Sequence, residues 1–163
     1  MGSKKQVFKA AVLIKKNTIK IFNLIKPKLK PHQAFVKIKY SSICHTQVQE
    51  IEGKRGVDKY LPHCLGHEAI GEIKEIHQTV KKFKVGDIVC LSWIKNDGKD
   101  GGSVIYSDIN GLKINAGPVN TFSNYAVVAE NKVIKLPKKN NLTRDVLMGC
   151  AIPTAFNAVF NTL

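Results

Sequence analysis

AFVKIKYSSI, residues Ala34 to Ile43, is the stretch whose pattern decides the kind of fold this chain makes. Apolar and polar side chains alternate along it, with Lys37 and Lys39 set between Val36, Ile38 and Tyr40. A period of two puts neighbours on opposite sides of an extended chain, so the pattern predicts a β-strand with one wet face. The strand runs directly into Ser41-Ser42-Ile43-Cys44-His45-Thr46, which gathers a thiol, an imidazole and a hydroxyl at a strand end.

Working outward gives more strands. Towards the N-terminus, Phe8 to Ile14 and Ile19 to Leu24 are β-favouring runs joined by Lys15-Lys16-Asn17, which predicts a hairpin. Lys26 to Pro31, with Pro27 and Pro31, is a stiff connector. Towards the C-terminus, Gln47 to Glu52 has room for one short helical turn, and a loop from Gly53 to Pro62 leads to LPHCLGHEAIG, Leu61 to Gly71. Ala69 to Ile76 is another alternating strand. A turn cornered at Gly86-Asp87 leads into the strand Ile88 to Leu91. Lys95 to Gly117 carries Gly98, Gly101, Gly102, Gly111 and Gly117, and is expected to be a long loop. Thr121 to Ala129 and Val133 to Leu136 resume the strands. About seven short strands at this spacing imply a β-barrel or sandwich-like body. Beyond Pro137 the period changes. Asn141 or Thr143 caps a helix through Val146, Leu147 and Met148. A second helix runs from Thr154 to Leu163 with Pro153 in its first turn and Ala155, Phe156, Val159 and Phe160 as its apolar stripe.

Composition narrows the possible functions. The chain has 163 residues, 44% hydrophobic, enough for a real core. No apolar run approaches the roughly 18 residues that span a bilayer, and the N-terminus has no signal-like apolar stretch, so no membrane role and a cytoplasmic location are expected. The net charge of +14 comes almost wholly from lysine, since Arg55 and Arg144 are the sole arginines. Those lysines alternate with apolar residues along strands rather than clustering with aromatics, so nucleic acid is not an expected partner. An anionic ligand such as a dinucleotide is compatible with the charge. Cys44, Cys64, Cys90 and Cys150 form no C-x-x-C pair, which argues against a disulfide framework.

His67-Glu68 stands between Gly66 and Gly71, where glycine lets backbone approach closely. Cys44, His67 and Cys150 all fall at loop or element ends. Two thiolates and an imidazole suit zinc and leave a fourth position open for water or substrate. No Gly-x-Gly-x-x-Gly occurs, so the chain carries no dinucleotide fingerprint of its own.

Ile43-Cys44-His45-Thr46, Leu65 to Gly71, Phe83 to Val89, Thr121 to Tyr125 and Gly149-Cys150 with Pro153-Thr154 follow in the order found in zinc-dependent medium-chain alcohol dehydrogenases. The chain resembles the N-terminal, GroES-like catalytic domain of that family. The resemblance implies a mainly β, partly open barrel with short helices over residues 1–140, and a helical segment, 141–163, leading towards a Rossmann domain that is not in this sequence. It implies Cys44, His67 and Cys150 as ligands of one catalytic zinc. It implies Thr46 as the hydroxyl that bonds the substrate alcohol and starts a proton relay, and Glu68 as a carboxylate close to the metal. His45 matches a residue that touches the cofactor pyrophosphate, and Thr154 one beside the nicotinamide of NAD or NADP. The expected partner is a small alcohol or aldehyde, and a homo-oligomeric assembly is compatible with the resemblance.

The sequence departs from the family at three points, of which the absent Rossmann domain is the largest. Gln47 stands where an acid usually orients the zinc-binding histidine. The four-cysteine lobe is missing, so no structural zinc is expected. These features predict part of an NAD(P)-dependent alcohol or polyol dehydrogenase, inactive alone, with a non-catalytic GroES-like scaffold as the alternative. Cys64 and Cys90 are expected in the core, and His32 and His77 at the surface. His63 is either a substrate contact or a loop residue, and Trp93 either a pocket wall or core.

Overall fold

The computed structural model describes residues 6–137 and 141–161. Its strands are β1 (Val7–Lys15), β2 (Thr18–Ile25), β3 (Gln33–Ser41), β4 (His63–Cys64), β5 (Ala69–Ile76), β6 (Ile88–Leu91), β7 (Val104–Asp108), β8 (Lys113–Gly117), β9 (Tyr125–Ala129) and β10 (Val133–Lys135). Helix α1 (His45–Ile51) follows β3, and α2 (Leu142–Asp145) and α3 (Ala151–Asn161) close the chain. The mainly β body expected from the sequence is what forms. Five strands close a barrel in the order β1-β2-β7-β8-β4, and the other five make a sheet ordered β10-β6-β5-β3-β9.

The opening stretch sits where the two layers share their cores. Phe35 of β3 and Val127 of β9 pack with Phe8, Val12, Leu24, Tyr106 and Ile114 in the barrel core. Their neighbours Ala34, Val36, Ala126 and Val128 pack with Ile73, Val89, Leu91 and Val133 in the sheet core. The first half of β3, Gln33 to Val36, is therefore buried on both faces, and only Lys37 onward has the wet face that alternation predicted. Full burial of each such aliphatic side chain contributes about 1.5–3 kcal/mol.

The segment expected to be a long loop holds β7 and β8, which are needed to close the barrel. Their alternation, with Val104, Tyr106, Ile114 and Ala116 inward, is short and lies among glycines, and the glycines dominated the sequence pattern. Asp108 makes the turn between them, its Oδ1 accepting from the backbone N–H groups of Asn110 at 2.9 Å and Leu112 at 2.8 Å. Tyr106 stacks edge-on to Phe8, with ring centres 5.2 Å apart. Its buried hydroxyl donates to Asn120 Oδ1 at 3.1 Å and accepts from Val127 N–H at 2.8 Å. That is how a core tyrosine keeps its polar tip satisfied.

Two histidines also differ from expectation. His32 and His77 are half-buried and both meet Thr79, whose hydroxyl accepts from His32 N–H at 2.8 Å and lies 3.0 Å from His77 Nδ1. Cys64 and Cys90 are core residues as predicted, and burial pushes both thiols up to about 12. Asn141 caps α2, its side chain accepting from Arg144 N–H at 3.2 Å. The expected boundary at residue 140 and the end of the last helix at Leu163 lie outside the described residues. Among those residues, no helix is long and apolar enough to cross a membrane.

Candidate metal centre

Three elements bring the site together, each through backbone geometry. Cys44 precedes α1 in an extended conformation, and its carbonyl accepts from Gln47 N–H at 3.0 Å. Its side chain makes no capping bond, so the thiol is free to turn towards other groups.

His67 lies in the link from β4 to β5. The Leu65 carbonyl accepts from the N–H groups of Thr121 at 3.1 Å and Phe122 at 3.0 Å, which anchors the backbone just before Gly66. Gly66 has φ +88°, and a Cβ there would lie 2.3 Å from Thr121 Oγ1 and 2.7 Å from Phe122 N. Only glycine fits this turn without displacing its neighbours. On the far side of His67, Ser41 Oγ donates to the Glu68 carbonyl at 3.0 Å.

Cys150 ends a 3₁₀ turn, Val146–Gly149. Ser92 Oγ donates to the Gly149 carbonyl at 2.5 Å, and Ala151 N–H donates to Glu68 Oε2 at 3.3 Å. A Cβ on Gly149 would lie 2.5 Å from the Leu91 carbonyl oxygen and 2.6 Å from Glu68 Cβ. The glycine therefore lets the turn sit directly on β6 and on Glu68.

The result is that one ligand atom from each of Cys44, His67 and Cys150 lies within 4.8 Å of the other two. Burial holds the His67 imidazole below its ordinary value of 6.5; the Glu68 charge opposes this and Arg55 adds to it. The ring is thus favoured neutral, the form that ligates a metal. Burial holds the Cys150 thiol above its ordinary value of 9.0, with Cys44 and Glu68 adding to it and hydrogen bonds from Trp93 and Thr154 working against it. Among the described residues His67 Nε2 is buried with no partner. A divalent cation fits this set. It would give Nε2 a partner and favour the thiolate that burial disfavours.

The Gln47 amide lies 2.5 Å from His67 Nδ1, and Gln47 Oε1 is also buried without a partner. A half-turn of that amide lets Oε1 accept Nδ1–H, which leaves the Nε2 lone pair to face the thiols. Gln47 can hold the ring as the usual acid would, without its full charge.

The remaining residues singled out by sequence spread around this centre. Thr46 is half-buried in the first turn of α1, and His45 is exposed at its start. Glu68 is buried and shows no ion pair with a basic neighbour among the described residues. Thr154 Oγ1 lies 3.9 Å from Cys150 Sγ on an otherwise exposed residue. Trp93 is not core: it is half exposed, with its ring centre 6.5 Å from that of His67 and edge-on to it. His63 is not a loop residue: it is buried in β4 against Asp58. No sequence pattern marks Ser92, a lone serine after a strand whose hydroxyl donates to the Gly149 carbonyl and holds the Cys150 turn in place.

Residues 30–138 match the alcohol dehydrogenase GroES-like domain family. The chain belongs to that family. A probable cinnamyl alcohol dehydrogenase 1 of Aralia cordata is 46% identical over 59 residues, 36% of this chain and 16% of the relative. An S-(hydroxymethyl)glutathione dehydrogenase of Photobacterium damsela subsp. piscicida is 27% identical over 157 residues, 82% of this chain and 42% of the relative. Among solved structures, an alcohol dehydrogenase zinc-binding domain protein from Burkholderia ambifaria superposes with a TM-score of 0.84 at 24% identity, covering 98% of this chain and 50% of its own. The chain spans less than half the length of the curated relatives it matches.

Proposed function

We propose that the chain is the zinc-binding catalytic part of an NAD(P)-dependent alcohol or polyol dehydrogenase. In this reading residues 1–140 form the catalytic domain and residues 141–163 lead towards a nucleotide-binding domain. The observation that carries the proposal is the buried, unpartnered His67 Nε2 grouped with the thiols of Cys44 and Cys150. Zinc held by these three residues would supply Lewis acidity towards a substrate oxygen.

The chain's own residues then divide the rest of the work. Gln47 orients the His67 ring, while Glu68 and Ser92 hold the backbone that carries Cys150. Thr46, in the first turn of α1, takes the proton leaving the substrate hydroxyl and passes it towards solvent. His45 and Thr154, both exposed, face the dinucleotide, His45 towards its phosphates and Thr154 towards its nicotinamide. Trp93 forms an apolar wall for an alcohol or aldehyde side chain. With no dinucleotide fingerprint in these 163 residues, they turn over nothing alone.

Cobalt(II) substitution tests the proposal. One Co²⁺ per chain should give an intense thiolate-to-cobalt absorption that Cys44→Ser or Cys150→Ser weakens. A chain that takes up no metal, with Cys44 and Cys150 open to thiol titration, would instead be a scaffold module.

A further inference from the structure

The geometry points to a second cation site, formed by Glu50, Asp58 and His63, that binds a divalent transition metal through one imidazole and two carboxylates. One ligand atom from each residue lies within 4.8 Å of the others. None of the three belongs to the centre described above.

The case begins with the tautomer of His63. The residue is buried in β4, and its backbone is registered against Leu13 of β1 and Asn115 of β8, so the ring is held by the closed barrel. Its Nδ1 lies 2.9 Å from the Cys64 carbonyl oxygen. A carbonyl only accepts, so Nδ1 carries the proton and Nε2 is the ring's free nitrogen. That nitrogen faces Asp58 Oδ2 at 2.7 Å and Glu50 Oε1 at 3.8 Å. A lone pair pointed at two anionic oxygens is repulsive unless a positive charge lies between them.

A second proton on the ring answers part of this. It bonds Asp58, but Glu50 Oε1 at 3.8 Å is beyond hydrogen-bond reach. Among the described residues the half-buried Glu50 carboxylate makes no hydrogen bond. A metal ion engages all three groups. Nitrogen and oxygen ligands about 2.0–2.2 Å from a metal lie roughly 3 to 3.5 Å from one another, between the two separations seen here. Closing the gap to Glu50 and opening the one to Asp58 each needs a shift of well under 1 Å. The Nδ1–H to carbonyl bond is the outer support that metal-binding histidines usually have.

Glu50 and Asp58 also line a cavity of about 360 Å³ with Leu13, Val57 and Leu61, which leaves room for waters at the remaining coordination positions. The mixed donor set selects for an ion that accepts imidazole and carboxylate together, such as Zn²⁺ or Mn²⁺. Binding replaces a shared proton with a metal and ties the last turn of α1, the loop after it and β4 to one point. This site lies outside the missing cysteine lobe, and it revises the expectation of one ion per chain.

The test uses the full chain given one equivalent of Co²⁺, whose thiolate absorption reports the cysteine centre. Mn²⁺ is then titrated and followed by the loss of its free-ion electron paramagnetic resonance signal. One Mn²⁺ should bind per chain, with the cobalt band unchanged. In the Glu50→Gln/Asp58→Asn double variant, Mn²⁺ affinity should fall about tenfold or more while the cobalt band and near-ultraviolet circular dichroism stay as they were. Asp58→Asn keeps the oxygen that accepts from Tyr60 N–H, so the loop retains that turn. If that variant loses its fold, Glu50→Gln alone reads the same effect. Absence of Mn²⁺ binding, or full binding by either folded variant, overturns the second site. Absence of the cobalt band overturns the cysteine centre and leaves the Mn²⁺ result intact.

Discussion

At the residue scale, Gln47 shows how a neutral side chain can take over an orienting task. Its amide meets His67 Nδ1 at 2.5 Å, so the ring has a fixed partner but no counter-charge. Gln47→Ala should lower zinc affinity about 10–100-fold, and Gln47→Asp should raise it, by restoring a charged acceptor. Competition with a coloured chelator measures both, and equal affinities across the three chains would refute an orienting role. Gly66 is the other decisive residue. Gly66→Ala combines a positive φ with a 2.3 Å clash at Thr121 Oγ1, so it should cost about 2 kcal/mol or more in a urea melt. A loss of only a few tenths would mean that the turn relaxes without strain. Both residues were conspicuous in the sequence, Gln47 as a departure and Gly66 as a punctuating glycine. Ser92 was not, because nothing about a lone serine announces a buried hydrogen bond 57 residues away.

At the scale of the element, the turn between β5 and β6 links folding to pH. Asp87 is pushed up by burial, but the Lys84 backbone N–H and the Lys135 ammonium outweigh this and hold its carboxyl below the ordinary value of 3.8. Asp87 Oδ2 accepts from Lys84 N–H at 2.9 Å and lies 2.9 Å from Lys135 Nζ. A carboxyl whose folded pKa is depressed stabilises the fold fully above its unfolded pKa, and that share is lost as pH falls through the folded one. The stability gap between the native chain and Asp87→Asn should therefore be present at neutral pH and shrink below about pH 4. Urea midpoints at several pH values measure it. A gap that stays constant down to acid pH would show that Asp87 contributes by shape alone. The sequence marked this turn through Gly86-Asp87, since its partner Lys84 is three residues away. It missed β7 and β8, whose pairing is long-range and whose glycines resemble those of a loop.

At the scale of the whole molecule, α3 carries an uncovered apolar face. Ile152, Phe156, Val159 and Phe160 are all exposed, and the rings of Phe156 and Phe160 lie 4.3 Å apart. The sequence predicted an apolar stripe on this helix. The structure shows the stripe on a formed helix with no buried residue. An apolar patch of this kind, open to water, favours association. In these 163 residues taken alone, self-association through α3 is the expected outcome. Sedimentation should show mass rising with concentration, and Phe156→Glu with Phe160→Glu should return the chain to monomer. A native chain that stays monomeric at high concentration would count against it.

What the sequence determined by itself is local: the strand periods, the glycine-flanked His67 and the caps near Asn141. Each depends on residues a few positions apart, where spacing alone fixes direction. Tertiary structure decided the rest. It buried both faces of β3 between two cores, and closed the barrel with β7 and β8. It also drew His63, Asp58 and Glu50 to one point. Those outcomes depend on chain crossings that bring distant segments within a few ångströms, and no short-range pattern records such distances.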